Sequence, residues 1–414
     1  MSTLSYSSKS EKFCLELGRV KRLLEKAGNP DKDMSIIHIA GTNGKGSVCA
    51  YLEAGFTDAK IKCGRFSSPE LFSVEDTISV NKVPIGKRVL SNLLKSLEPL
   101  CDEVKEEMGK PPSPFEILFV AALLYFKKKK CKKVILECGM GGAGDATNAV
   151  FESEIEVLTN IDLDHREYLG NSIKEIAKNK CGILRSGKVV FSAVQKKQAE
   201  DAIIKECKNK NCQLGFVKEL EIKKMDFLNA VAETEFGFVR LSLAGVHQAK
   251  NAALALAVMK YLGLKEENII KALTTAENKG RLEEISGGLY FDGAHNPAGV
   301  KSLVKSINMA DIKGKIIFAV GFMADKDIEG CFEELKKLKN KNFEIYTTAV
   351  HSNPRRETAE NLLTKANEKG FTGESFPNIY EAVKKARQNA DTVFAFGSLY
   401  MYKELMGVKK LEDR

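Results

Sequence analysis

No stretch of apolar residues in this chain approaches the ~20 that a membrane-spanning helix needs, which excludes a helical membrane protein. Its first residues, MSTLSYSSKSEKF, are polar and lack an apolar core, so no signal peptide is visible and a cytoplasmic protein is expected. C-x-x-C never occurs. The ten cysteines, at positions 14, 49, 63, 101, 131, 138, 181, 207, 212 and 331, are scattered through apolar segments, so they read as reduced, mostly buried thiols. The nearest pair, Cys207 and Cys212, lies in a Lys/Asn-rich stretch with no His beside it, which argues against zinc. Ten prolines and 32 glycines exclude a collagenous or low-complexity chain. Histidine is scarce, with five residues at 38, 165, 247, 295 and 351.

What is present is ordinary globular composition, 43% hydrophobic and 29% charged. The 414 residues allow two or three domains at ~150 residues each. Lys and Arg exceed Asp and Glu by 64 to 55, a net charge of +9, which points to an anionic partner such as nucleic acid, phosphates or carboxylates.

Short β-rich runs alternate with helical ones, the pattern of an α/β fold with a largely parallel sheet. Strands are expected at Ser35–Ala40, Lys133–Cys138 and Ile155–Asp162, and a helix at Val48–Ala59. A helix over Ser113–Lys128 is announced by the Ser113/Glu116 capping box and Pro114 at its first position, and another by Ser172/Glu175. Lys127–Lys133 reads as a solvated helix end. After about residue 276 the alternation restarts, with strands expected at Leu289–Asp292, Lys315–Val320, Phe343–Thr348 and Thr392–Phe396, and helices at Ile328–Leu338 and Glu357–Glu368. A second, smaller α/β domain fits, joined near Thr275–Lys279.

Between the first strand and helix stands Gly41-Thr42-Asn43-Gly44-Lys45-Gly46-Ser47. Glycines let backbone N–H groups approach phosphates, the helix N-terminus adds a positive dipole end, and Lys45 adds a point charge. The general G-x-x-x-x-G-K-[ST] pattern is not met, because Ile39 holds the first Gly position and Gly46 follows Lys45. A Gly-rich turn is the plainer alternative. A rival motif, Gly139-x-Gly141-x-x-Gly144, matches the dinucleotide fingerprint, but Asp145-Ala146-Thr147-Asn148 does not open an amphipathic helix.

The GTNGKGS loop resembles that of the Mur ligase superfamily of ATP-dependent amide ligases, and most of all its folylpolyglutamate and dihydrofolate synthase branch. Further segments resemble the same branch in the same order: FSSP at 66–69, SPFE at 113–116, LECGMGGAGDATN at 136–148, TNIDLDHREYLG at 159–170, KEIAKNKCGI at 174–183, GVHQ with Asn251, GRLE at 280–283 and FDGAHNP at 291–297. The resemblance implies a P-loop nucleotide-binding domain with a mostly parallel sheet over 1–277. It also implies a smaller, Rossmann-like C-terminal glutamate-ligase domain over 278–414. It implies that Gly44, Lys45, Gly46, Ser47, Asn251, Arg281 and Asp292 bind ATP. Ser68, Glu137, His165 and Lys180 would hold two Mg²⁺ ions, with a monovalent cation also allowed. Lys180 would be carbamylated, which needs a neutral amine and so a depressed pKa. Ser113, Pro114, Phe115, Glu116, Gly144, Asp145 and Ala146 would lie at the folate. Lys45, His165, Lys180, Asp292 and His295 would be the catalytic residues. Each has a plainer alternative: a cap for Ser113 and Glu116, a solvated Lys for Lys180, a hydrogen-bonded structural His for His165.

The implied reaction is attack of the substrate's carboxylate on the γ-phosphate of ATP, giving an acyl phosphate, followed by attack of the L-glutamate amine. The substrates are then all small and anionic (ATP, glutamate, and a folate or dihydropteroate), which accounts for the positive charge without nucleic acid or membrane. A monomer is expected. Two alternatives stand: another Mur-type amide ligase acting on a cell-wall nucleotide, and a P-loop nucleic-acid-binding protein. The segment GGAGDATN lacks the Arg and Leu of the GGRLDATN found in bifunctional relatives, which favours polyglutamylation over dihydropteroate ligation.

Overall fold

Strand β1 (Ser35–Ala40) is apolar from Ile36 onward except for His38, and five of its six residues are buried. Such a run belongs inside a parallel sheet covered on both faces. The computed structural model of the chain describes residues 16–412, with side chains through 407; Cys14 and the polar first thirteen residues lie outside that range. In it, β1 is central to an eight-stranded sheet with β2 (Cys63–Phe66), β3 (Ile78–Val80), β4 (Val83–Pro84), β5 (Lys133–Glu137), β6 (Ile155–Leu158), β7 (Val189–Ala193) and β8 (Gln213–Val217). The order is β4-β3-β2-β5-β1-β6-β7-β8. All pairs are parallel except β2–β3 and β3–β4. Pro84, which cannot donate to a ladder, sits in the edge strand.

The chain runs from β1 to one side of it and, after β5, crosses to β6 on the other. The order therefore reverses around β1, and at such a reversal the carboxyl ends of parallel strands leave a crevice. Helices cover the sheet. The helix Pro114–Lys128 starts where its sequence directs: Ser113 accepts from the Glu116 N–H, and Glu116 reaches back to the Ser113 N–H. Its last turn leads into exposed Lys127–Lys130.

Contacts divide the chain into two units. The first comprises residues to Glu219 with Lys250–Ala276; the second comprises Leu220–Ala249 with residues from Glu277 onward. The second unit holds a six-stranded sheet made of β12 (Glu283–Ser286), β13 (Leu289–Asp292), β14 (Ile316–Val320), β15 (Phe343–Thr348), β16 (Gly373–Phe376) and β17 (Thr392–Phe396). Their order is β12-β13-β17-β14-β15-β16, with only β12 antiparallel. It also holds an antiparallel meander, β9 (Glu221–Asp226), β10 (Asn229–Thr234) and β11 (Gly237–Arg240).

Three differences from expectation have physical reasons. The segment 220–249 was expected with the first domain. It groups with the second unit, where Phe227 packs on Tyr290 with ring centroids 5.5 Å apart and the Val246 N–H donates to Ser306 Oγ at 3.0 Å. The helix expected at Val48–Ala59 begins at Lys45, because left-handed Gly44 (φ 98°) is its cap. Strand β6 stops at Leu158, and the chain then peels off so that the Ile161 N–H reaches the Gln195 carboxamide at 3.0 Å. Among the described residues no helix is long and apolar enough to cross a membrane.

Candidate active site

In the first unit the candidate residues gather at the carboxyl ends of β1, β2, β5 and β6. The loop after β1 is held by the loop after β6: the Thr42 and Asn43 N–H groups donate to the Asn160 carbonyl, and Thr42 Oγ1 exchanges hydrogen bonds with the Asp162 backbone at 3.0 Å. Two glycines permit this closeness. A Cβ on Gly41 would stand 1.8 Å from Thr159 Oγ1, and one on Gly44 would stand 2.3 Å from Asn251 Oδ1. Gly44 and Asn251, each expected at ATP, thus lie against each other. Gly46 and Ser47 are in the first turn of the helix Lys45–Asp58, where its N–H groups converge.

Lys45 folds over the loop, with Nζ donating to the carbonyls of Gly41 (3.1 Å) and Thr42 (3.3 Å). Lys180, 4% exposed, donates to the same Gly41 carbonyl at 2.8 Å. Burial, and then the Lys45 charge, push its amine down to about 7, while Asp164 and Asp145 act in the opposite sense. A buried amine near neutrality is the form that carbamylation requires.

Glu137 ends β5 and is buried, and His165 lies beyond β6 in a left-handed conformation (φ 48°) that is uncommon outside Gly and Asn. Its N–H donates to Asp164 Oδ1 at 2.9 Å. Asp164 precedes His165 in TNIDLDHREYLG. Its position beside both His165 and Lys180 makes it part of the site, a proximity that only the fold brings about across residues 164–180.

Gly139, just past β5, is the point on which three expected groups converge. A Cβ there would meet Phe115 Cζ at 3.0 Å, and Asp145 Oδ2 and Ser68 Oγ at 3.4 Å. Phe115 also packs on Phe66, 5.5 Å between centroids. The fingerprint-like Gly141 serves packing instead: a Cβ on it would stand 2.5 Å from Asn179 Oδ1 and 2.8 Å from Leu169 Cδ2. A short 3-10 turn, Ala146–Ala149, follows Gly144 rather than an amphipathic helix. Pro114 is the first residue of its helix, Glu116 is buried 3.5 Å from Arg19 Nε, and Ala146 packs into the apolar core. Arg19 carried no sequence signal, because its partner is almost a hundred residues away.

Among the described residues no three His, Cys, Asp or Glu side chains gather as a metal cluster. Ser68, Glu137, His165 and Lys180 offer one carboxylate as they stand and two anionic oxygen groups if Lys180 is carbamylated. That set suits a hard divalent ion that keeps most of its ligands from water and phosphate.

In the second unit, the Asp292 carboxylate ties two motifs together. Its Oδ2 accepts from the Leu282 N–H and its Oδ1 from the Ala294 N–H, each at 2.8 Å. The Gly293 N–H donates to the Gly280 carbonyl at 2.9 Å, and a Cβ on Gly293 would stand 2.9 Å from Arg281 Nη1. Arg281 therefore lies over the loop that carries His295. His295 Nδ1 donates to the Gly293 carbonyl at 2.9 Å, and Asn296 caps the helix Pro297–Ala310. Buried His247 is pushed down by its burial, and also feels the charges of Asp292 and Arg281.

Comparison with known proteins agrees along the whole chain. Residues 39–259 match the Mur ligase middle domain, and residues 280–399 match the Mur ligase glutamate ligase domain. A dihydrofolate synthase/folylpolyglutamate synthase of Escherichia coli (strain K12) is 30% identical over 416 residues, 98% of this chain and 94% of that one. The solved structure of Mycobacterium tuberculosis folylpolyglutamate synthase complexed with ADP is similar with a TM-score of 0.89 and 26% identity, covering 97% of this chain and 96% of that one. A bifunctional folylpolyglutamate synthase/dihydrofolate synthase with Mn, AMPPNP and L-glutamate bound gives a TM-score of 0.81 and 29% identity, covering 97% and 95%. Phosphate loop, buried lysine and matched domains define an ATP-dependent amide ligase of the Mur type. The chain belongs to the dihydrofolate synthase/folylpolyglutamate synthase family.

Proposed function

We infer that the chain joins L-glutamate to the carboxylate of a folate with ATP, and that its candidate residues act as follows. The observation that carries the reading is the loop Gly41–Ser47 with two lysines on one carbonyl, in a chain whose similarity to named folate ligases covers nearly its whole length. Backbone N–H groups of Gly44, Gly46 and Ser47 cradle the ATP phosphates, and Lys45 swings from its carbonyls to their charge. Asn251 backs the loop. Arg281 supplies a guanidinium fork to the phosphates, Asp292 fixes the loop that presents it and reaches the nucleotide, and His295 stands beside the nucleotide. Ser68, Glu137, His165 and carbamylated Lys180 would hold two Mg²⁺ ions. When bound, these ions neutralise charge on the transferring phosphoryl group.

Phe115 offers its ring face to the flat pteridine, and Ser113, Pro114, Glu116, Gly144, Asp145 and Ala146 shape the surrounding wall. The substrate carboxylate attacks the γ-phosphorus, ADP leaves, and the glutamate amine then displaces phosphate from the acyl carbon, losing a proton. Catalysis is chiefly positioning and charge neutralisation. We assign residues 1–277, apart from the segment 220–249, to nucleotide, metal and folate binding and 278–414 to glutamate ligation. The enzyme is a cytoplasmic monomer without nucleic-acid partners; the free thiols of the nine described cysteines support the reducing compartment alone.

A substrate panel tests this. With ATP, Mg²⁺ and L-glutamate, tetrahydrofolate should give ADP and a glutamylated product, and dihydropteroate should be the poorer acceptor. Turnover of a cell-wall nucleotide instead, or of none of the three, overturns the reading.

A further inference from the structure

Beneath the loop that carries Asp145 runs a polar chain that the proposed reaction does not use. His38 and Thr147 are wholly buried, one on β1 and one in the turn after Asp145. The Asp145 carboxylate accepts at Oδ2 from the Met140 N–H (2.8 Å). At Oδ1 it accepts from the Thr147 N–H (3.0 Å) and from the Thr147 hydroxyl (2.5 Å). A threonine hydroxyl has a single proton. Here it goes to the carboxylate, because a charge-assisted O–H···O⁻ bond is the strongest of those on offer.

Thr147 Oγ1 can then only accept from its other side, where His38 Nε2 stands 2.8 Å away. Nε2 must carry the ring proton. The second ring nitrogen agrees. Nδ1 is buried without a hydrogen-bond partner, and a bare acceptor left unpaired is better tolerated than an unpaired N–H. Burial, and then the Arg185 charge, push the imidazole down to about 3, so the ring stays neutral. Cys138 Sγ, 3.2 Å from Nε2, packs against the junction.

We propose that His38 is a positioning residue: as the Nε2–H tautomer it donates to Thr147 Oγ1, commits the Thr147 hydroxyl to Asp145, and so fixes how that carboxylate faces the pteridine ring of the substrate. The last link rests on the folate reading above; the tautomer and the hydrogen-bond chain do not.

Two measurements on the full chain test it. In long-range ¹⁵N–¹H correlation spectra of histidine-labelled protein, His38 (assigned by its loss in His38→Gln) should show a protonated Nε2 and a bare Nδ1 from pH 6 to 8. An Nδ1–H tautomer or a charged ring overturns the chain. In kinetics, His38→Leu and Thr147→Val should each raise KM for the pteridine substrate about tenfold, as loss of a buried hydrogen bond does, and leave KM for ATP unchanged. His38→Gln, which keeps a donor at the Nε2 position, should restore most of it. Unchanged pteridine KM in the Leu and Val variants, or equal loss in the Gln and Leu variants, overturns the role. Should His38→Leu fail to fold, Gln against Asn decides: Asn, whose donor falls at the Nδ1 position, should be impaired and Gln should not. Absence of any pteridine turnover refutes the folate reading, and the spectra still decide the tautomer.

Discussion

Lys45 and Lys180 converge on one carbonyl: their Nζ atoms lie 3.1 and 2.8 Å from the Gly41 oxygen. The phosphate loop is thereby coupled to the helix Ile173–Lys180, more than a hundred residues later. Burial and the neighbouring Lys45 charge bring the Lys180 amine down to about 7. An amine in that range can add to CO₂, forming an N–C bond and releasing one proton, to give a carbamate. Lys180→Ala should therefore lose at least about a hundredfold in kcat, the scale of removing one electrostatic group from a transition state. Formate or acetate should return part of it. Turnover like that of the wild type contradicts the carbamate.

Gly44 combines a left-handed φ of 98° with the Asn251 carboxamide at its back. Gly44→Ala brings a Cβ within 2.3 Å of Asn251 Oδ1 and adds about 1–2 kcal/mol of backbone cost. The expected outcome is a KM for ATP raised at least about tenfold by that cost, with ADP affinity falling in parallel by calorimetry.

The Asp292 carboxylate accepts from two backbone N–H groups, of Leu282 and Ala294. Asp292→Ala leaves both donors unpaired, and each costs roughly 1–3 kcal/mol. Thermal unfolding should come at a lower temperature and KM for ATP should rise together, because the same loop presents Arg281. Arg281→Ala should raise KM for ATP without the loss of stability.

Glu156, on β6 beside His38 in register, keeps Oε1 on the Ser153 hydroxyl and buries Oε2 without a partner. Burial pushes its carboxyl up to about 7 from an ordinary 4.5. The folded state holds this proton more tightly than the unfolded state does. The stability it contributes is thus full below pH 4.5 and is lost as pH rises through 7, to the extent of roughly 3 kcal/mol. Glu156→Gln should raise the melting temperature at pH 8 and give no gain at pH 4.5. A gain that is the same at both pH values contradicts this assignment.

Where local chemistry decides structure, the sequence was readable. Strands β13, β15 and β17 fall at their expected residues, and the Ser113/Glu116 and Ser172/Glu175 boxes cap the helices they announce. The meander over 221–240 was missed because its strands are short and charged, EIKKMD among them, and gain their cover only from the second unit. The helix Lys87–Met108 carries Pro99 within it, a residue that reads in sequence as a helix breaker. At the candidate site, motifs singled out Lys45, Glu137, His165 and Asp292 as candidates. The parts of Asp164, Arg19 and His38 depend on neighbours distant in sequence. His38 in particular reads as one polar residue in an apolar strand until Thr147 is folded against it.

The central claim is tested most directly by incubating the purified chain with ATP, Mg²⁺, L-glutamate and tetrahydrofolate, and following ADP and product mass together. The account predicts ADP release that requires both acceptor and glutamate, matched mole for mole by a product heavier by one glutamyl residue. ADP release indifferent to glutamate, or a folate of unchanged mass, would contradict it.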